Sequence, residues 1–230
     1  MKRLLFIALT LLSATLLRAQ TTLEGSGSII RRDVPVTAFT TLDAGGMYEL
    51  RISGGSKESL TIETYENLQD LFEVEQKGSK LSIRMKKKDG GLNFRNKTPM
   101  VVHVTVRNLQ QLNVSLMGAV RTEGTLTQKE LKVFNKGMGE LRLNLVLEHF
   151  ELINEGMGRV VLEGSAADAG IRNKGMGELQ AGAFKVGSLT LANKGMGKAI
   201  VNAEKELIYK DNMMGKVENR GAARFVTKLN

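Results

Sequence analysis

Cysteine and tryptophan are absent from this chain, histidine occurs twice, and aromatic residues make up only 5% of its 230 positions. Each shortage removes a class of chemistry. Without cysteine there is no thiol nucleophile, no disulfide to hold an exported domain, and no lipid-modified N-terminal cysteine, so any fold rests on packing and backbone hydrogen bonds. Few aromatics and no Trp argue against a stacking platform for sugars or bases, and no nucleic-acid partner is expected. His103 and His149 share no spacing motif, so a two-histidine metal site has no support. His103 sits in the alternating run Val102-His103-Val104-Thr105-Val106 and reads as a solvent-facing strand residue. Gly25-Ser26-Gly27-Ser28 lacks the strand-to-helix context of a nucleophile elbow. The acidic residues Glu140, Glu151, Glu163 and Glu178 are scattered, and the file Glu140, Arg159, Glu178, Lys198, Lys216 alternates as charge pairing along a solvated face would. No catalytic residue, cofactor site or metal site is assigned.

The first residues carry their own signal. Lys2 and Arg3 precede an apolar run over 4–17, followed by Leu17-Arg18-Ala19. Basic start, hydrophobic stretch and small residue together read as a secretory signal peptide over 1–19, too short to span a membrane comfortably. No later stretch is apolar enough for a transmembrane helix. Loss of Lys2, Arg3 and Arg18 lowers the formal charge from +9 to +6. That excess suits an anionic polysaccharide or lipid headgroups, and equally suits plain solubility. What remains, residues 20–230, is enough for one domain with a real core.

What the chain does have is a repeat. Lys136-Gly137-Met138-Gly139 returns as Glu155-Gly156-Met157-Gly158, Lys174-Gly175-Met176-Gly177, Lys194-Gly195-Met196-Gly197 and Asn212-Met213-Met214-Gly215, with methionine spacings of 19, 19, 20 and 18. A period near 20 is the mark of a solenoid, in which one repeat is one turn of the stack. Aligning on the methionines gives apolar ladders, Val133, Leu152, Ile171, Leu191, Tyr209 before the turn and Leu141, Val160, Leu179, Ala199, Val217 after it. Met117 fits the same frame with Leu112 and Val120. Alternation around these positions is strand-like, so each coil is expected to give two short strands joined at Gly-Met-Gly, with a second turn near Gly124, Asn144, Gly164, Gly182, Asn202 and Gly221.

Three files run through these turns. Gly137, Gly139, Gly156, Gly158, Gly175, Gly177, Gly195, Gly197 and Gly215 supply positive φ or close backbone approach, and the expectation for Gly139, Gly158, Gly177 and Gly197 is a backbone conformation unfavourable for other residues. Asn135, Asn154, Asn173 and Asn193, with Asp211 in the fifth place, are expected to pass amide hydrogen bonds from coil to coil. Metal binding by this file is disfavoured, because one amide oxygen per layer is a poor hard-cation site. Met138, Met157, Met176, Met196 and Met214 either fill a corner of the core or form an outward apolar ridge. Glycine on both sides favours the outward choice.

The first half is less regular. Strand-like runs lie at 47–53, 60–65, 72–76, 81–85 and 100–106, with a short helical turn over 67–71. Leu42, Leu60, Leu81 and Val102 step by 18, 21 and 21, which suggests irregular first coils of the same stack. Lys86-Lys87-Lys88-Asp89-Gly90-Gly91 is an exposed loop, and the cluster over 84–88 reads as an edge gatekeeper or an anionic-glycan patch. The expected layout is a signal peptide over 1–19 and one domain over 20–230, with irregular coils to about 110, regular coils over 111–217 and a cap over 218–230.

Asp33-Val34-Pro35-Val36-x-x-Phe39, then Leu42-Asp43-Ala44-Gly45, then the repeated Asn-x-Gly-x-Gly turns, resemble the head-GIN-domain family of auto-transporter-adhesin-like proteins of Bacteroidetes-type bacteria. The resemblance spans about 25–226. It implies an all-β parallel β-helix akin to the pectin-lyase architecture, no assigned catalytic residues, and a role in cell adhesion. Family members usually carry Ser between the turn glycines where this chain has Met, which points to a wet corner. The reading is therefore a non-enzymatic, exported β-helix, periplasmic, surface-bound or secreted, that presents a binding surface. Its partner is open: a protein or glycan surface, or a second copy of the chain through the methionine file. The alternatives are a carbohydrate-active β-helix that binds or cleaves polysaccharide, and a purely structural envelope component.

Overall fold

The computed structural model describes residues 21–86, 92–94, 100–211 and 215–228. The proposed signal peptide, Lys87–Gly91 of the basic loop and Met214 lie outside them. Elements follow in the order β1 (Thr21–Leu23), β2 (Ile29–Asp33), β3 (Thr41–Gly46), β4 (Glu49–Gly54), β5 (Ser59–Tyr65), a 3-10 turn (Glu66–Leu71), β6 (Phe72–Lys77), β7 (Lys80–Met85), β8 (Leu92–Phe94) and β9 (Val101–Val106). The regular half contains β10 (Gln111–Leu116), β11 (Val120–Thr122), β12 (Leu126–Asn135), β13 (Leu141–Asn154), β14 (Val160–Asn173), β15 (Leu179–Asn193), β16 (Ala199–Val201), β17 (Ala203–Asp211), β18 (Val217–Asn219) and β19 (Phe225–Lys228).

From β10 onward every pairing is parallel, and the chain winds a β-solenoid of about six turns. Val133, Leu152, Ile171, Leu191 and Tyr209 stand in one register file, and Leu141, Val160, Leu179, Ala199 and Val217 in another. These inward files meet in one core of Leu, Val, Ile and Ala, closed at one point by the edge-on pair Phe150 and Phe184, 5.5 Å between ring centres. A layer of the stack cannot bury its apolar face alone, so each file exists only because the next coil supplies the other half.

Each central coil is one long strand through the second turn, not two short ones. β13 and β14 run 14 residues each, and β15 runs 15. The extra residue of β15 is absorbed as a bulge opposite Leu162, where the register shifts between Val161 and Glu163, and it accounts for the single 20-residue spacing.

The first half departs further from expectation. Its ladder is not Leu42, Leu60, Leu81, Val102. Leu42 pairs with Leu81, Leu50 with Val102, and Leu60 with Val104. β3 lies between β7 and β10, so spatial order is not chain order. Three pairings are antiparallel: β2 with β5, β5 with β9, and β6 with β7. The cause is local. β6 and β7 are joined by Gly78 and Ser79 alone, with Gly78 at φ +58°, and so short a connection can only reverse the chain.

Candidate functional site

At the Gly-Met-Gly corner the chain of each coil presses on the chain of the coil before it. The Met138 N–H donates to the Leu116 carbonyl at 2.8 Å, Met157 to Gly137 at 3.0 Å, Met176 to Gly156 at 3.2 Å and Met196 to Gly175 at 3.3 Å. Gly156 shows what the glycines do. A Cβ there would stand 2.6 Å from the Gly137 carbonyl oxygen, and at Gly197 2.6 Å from that of Gly177. Gly137, Gly139, Gly158, Gly175, Gly177, Gly195 and Gly215 are crowded by the neighbouring coil in the same manner. None of these glycines has positive φ, which corrects the expectation of an unfavourable backbone conformation. Within the repeats, positive φ falls on Gly124 at φ +79° and Gly164 at φ +101°, which belong to the second turn instead.

Beneath the corner runs the asparagine file, 0–1% exposed. Asn135 Nδ2 donates to Asn154 Oδ1 at 2.8 Å, Asn154 to Asn173 at 2.7 Å, and Asn173 to Asn193 at 2.7 Å. The same oxygens of Asn135, Asn154 and Asn173 accept the N–H of Gly137, Gly156 and Gly175. One side chain thus closes an Asx turn within its coil and links to the next. Asn193 Nδ2 finds no partner among the described residues. The next position is Asp211, whose side chain is outside them.

With the backbone so engaged, the methionine side chains point to solvent. Met117, Met138, Met157, Met176 and Met196 are 46–56% exposed, and they are five of the nine large apolar side chains exposed among the described residues. One Met per coil over five coils gives an apolar ridge of about 19 Å at the ~4.8 Å layer spacing. Charges flank it. Glu155 lies between Lys136 at 3.3 Å and Lys174 at 3.2 Å, and their hydrogen bonds, Lys174 foremost, hold its carboxyl below the usual range. On the other side the expected pairing down the Glu140 file does not occur. Glu140 pairs with Arg142, which also reaches Glu163, and Lys198 pairs with Glu218. The alternation misled because positions two apart on one strand also meet on the same face.

A second feature lies on another face. A groove of about 520 Å³ passes between two outward files of adjacent coils. One file is Thr41, Gln111, Lys132, Glu151, Gly170, and the other is Glu130, His149, Asp168. His149 Nδ1 stands 2.6 Å from Asp168 Oδ2, and Lys132 Nζ 2.8 Å from Glu151 Oε2. The strand residues between the files, Leu131, Phe150 and Ala169, are turned into the core. These residues were not singled out as a site from sequence. The available signal was spacing, since 130, 149 and 168 are each 19 apart and so one coil apart. His103 also has a partner, Glu63 at 3.1 Å, a carboxylate that Arg31 approaches at 2.8 Å. Among the described residues no group of three His, Cys, Asp or Glu side chains is placed to hold a metal ion, and no helix is long and apolar enough to cross a membrane.

Corners stacked through glycine, a buried amide file and outward side chains in register define a parallel β-solenoid. The chain belongs to the family described as "Putative auto-transporter adhesin, head GIN domain", whose model matches residues 38–223. No curated protein matches it. Among solved structures it is similar to a "putative adhesin" of Bacteroides fragilis, with a TM-score of 0.75 and 24% identity over 90% of this chain and 100% of that one. A "putative adhesin" of Parabacteroides distasonis has a TM-score of 0.58 and 18% identity over 91% of this chain and all of that one. A "putative lipid binding protein" of the same organism has 0.56 and 15% over the same shares. At these identities the likeness is one of fold.

Proposed function

We propose that the protein is an exported, non-enzymatic β-helix that presents a binding surface for cell adhesion or for association with the cell envelope, and that the methionine ridge is its adhesive strip. The observation that carries the reading is the file of five exposed methionines at glycine corners, where no packing requirement calls for a large apolar side chain. Methionine is flexible and polarizable, which suits contact with surfaces of varied shape. The family's adhesin description agrees with this role, and the signal-like residues 1–19 support export. At the rim Lys136 and Lys174 outnumber the Glu155 they share, and the net positive charge favours an anionic cell surface.

The test is a variant with Met117, Met138, Met157, Met176 and Met196 all changed to Ser. Retention on cells and sedimentation equilibrium read adhesion and self-association, and thermal melting reads the fold. Expected is loss of adhesion with a melting point changed by a few degrees at most, because the side chains are exposed. Unchanged adhesion, or a loss of several kcal/mol of stability, overturns the reading. The alternative, a β-helix that cleaves polysaccharide, takes its support from the His149–Asp168 pair, an imidazole and a carboxylate able to exchange a proton.

A further inference from the structure

We infer that the groove between the Glu130 file and the Lys132 file is a binding site for an uncharged or amine-bearing saccharide chain, separate from the methionine ridge and independent of it. Gly170 is the key observation. Of the glycines whose surroundings are described, it alone combines an ordinary φ with empty space on every side of the missing Cβ. Neither turn geometry nor packing calls for glycine there, and glycine inside a strand weakens the strand. It therefore marks a place where something else comes close to the backbone. That place is in the groove, in register beside Glu151 and two residues along from Asp168.

The chemistry of the walls narrows the occupant. Groove volume, about 520 Å³, falls within the range of small-ligand sites, roughly 300–1,000 Å³. The outward side chains are Gln, Thr, Lys, His, Glu and Asp, so acyl chains find no apolar bed and bases no aromatic face. Donors and acceptors alternate: Lys132 beside Glu151, and His149 beside Asp168. Hydroxyl groups, which donate and accept at once, match such a wall. The site is elongated, since the file from Thr41 to Gly170 climbs four layers, about 19 Å along the stack. Its local sign opposes that of the whole chain. Three carboxylates, Glu130, Glu151 and Asp168, stand beside His149 and outnumber two cations, Lys132 and Arg172, the latter 3.9 Å from Glu151, while charge beyond about 8 Å is screened. Phosphate and uronate are disfavoured, while neutral and amino sugars are accepted.

Calorimetric titration of the mature chain with three hexasaccharides tests this: a β-1,4-glucosamine oligomer, cellohexaose and hexagalacturonate. Binding of the first two, with hexagalacturonate about ten-fold weaker or silent, is expected. Gly170→Val has room to fold, so it should melt as the parent does while losing about ten-fold or more in affinity by filling the notch. Asp168→Asn should weaken the glucosamine oligomer more than cellohexaose. The five-Met variant should bind all three as the parent does, which separates this site from the adhesive ridge. Absence of binding to both favoured oligomers, preference for hexagalacturonate, or full affinity in a folded Gly170→Val overturns the inference.

Discussion

At the scale of single residues, the repeated glycine answers to distance more than to φ. Sequence shows that glycine recurs and suggests two reasons for it; only the neighbouring coil decides between them. Gly158 faces the carbonyl of Gly139, and a Cβ there would lie inside that oxygen's contact distance. Gly158→Ala should therefore cost on the order of 3 kcal/mol by forcing two corners apart. Gly170→Ala meets nothing and should be neutral or stabilise by roughly 0.5–1 kcal/mol. Urea denaturation of the two variants side by side checks both, and equal costs would contradict the close-approach account. The asparagine file offers a companion measurement. Asn154→Ala removes a buried amide that donates to Asn173 and accepts from Asn135 and Gly156, so a loss of about 1–3 kcal/mol is expected from the same denaturation experiment.

Among elements, the stacking of the regular half was legible, whereas the first half showed its strands and its short helical turn but not their order or direction. A fixed period near 19 makes parallel stacking readable, because an inward file needs the same residue type at the same phase in every coil. Nothing comparable marks β6 and β7. Gly78 carried the hairpin signal, yet spacings of 18 and 21 between leucines looked like the solenoid period and hid it. Non-local order, with β3 between β7 and β10, leaves no periodic trace at all. Asp43 of β3 records that order in its electrostatics. Burial pushes its carboxyl up, but hydrogen bonds from Lys80 of β7 and Asn113 of β10, with the charges of Lys80 and Arg84, outweigh this and hold it below its ordinary value. The folded state thus binds this proton less readily than the unfolded chain does. Its contribution is complete above the unfolded carboxylate pKa of about 3.9 and is lost as pH falls through the lowered folded value. Asp43→Asn should reduce stability at pH 7 and flatten the acid limb of stability against pH. Chemical denaturation between pH 2.5 and 7 reads it, and an unchanged acid limb would remove Asp43 from the account.

At the scale of the whole molecule, the part from β10 onward is a one-dimensional stack, and that is why its surface features repeat at the layer spacing. The ridge was legible because a residue flanked by glycines at a corner has no neighbours to cover it. The groove was not, because its two walls come from residues two apart on a strand and one coil apart in sequence, and no motif records such a pairing. If coils contact only their neighbours, one can be excised when the cut preserves phase. Deleting residues 157–175, nineteen in number, joins Gly156 to Met176 and lets β13 face β15 with the asparagine, apolar and methionine files intact. That chain should fold cooperatively with a melting midpoint lower by about 5–10 °C, a few kcal/mol for a protein of this size. It should also lose saccharide binding, since Asp168 and Gly170 are gone, while retaining adhesion through the methionines that remain. Removing residues 166–175, about half a coil, breaks every file and should abolish the fold. Circular dichroism melts of the two deletions distinguish the cases. A half-coil deletion as stable as the full-coil one would mean that register between coils does not govern this fold.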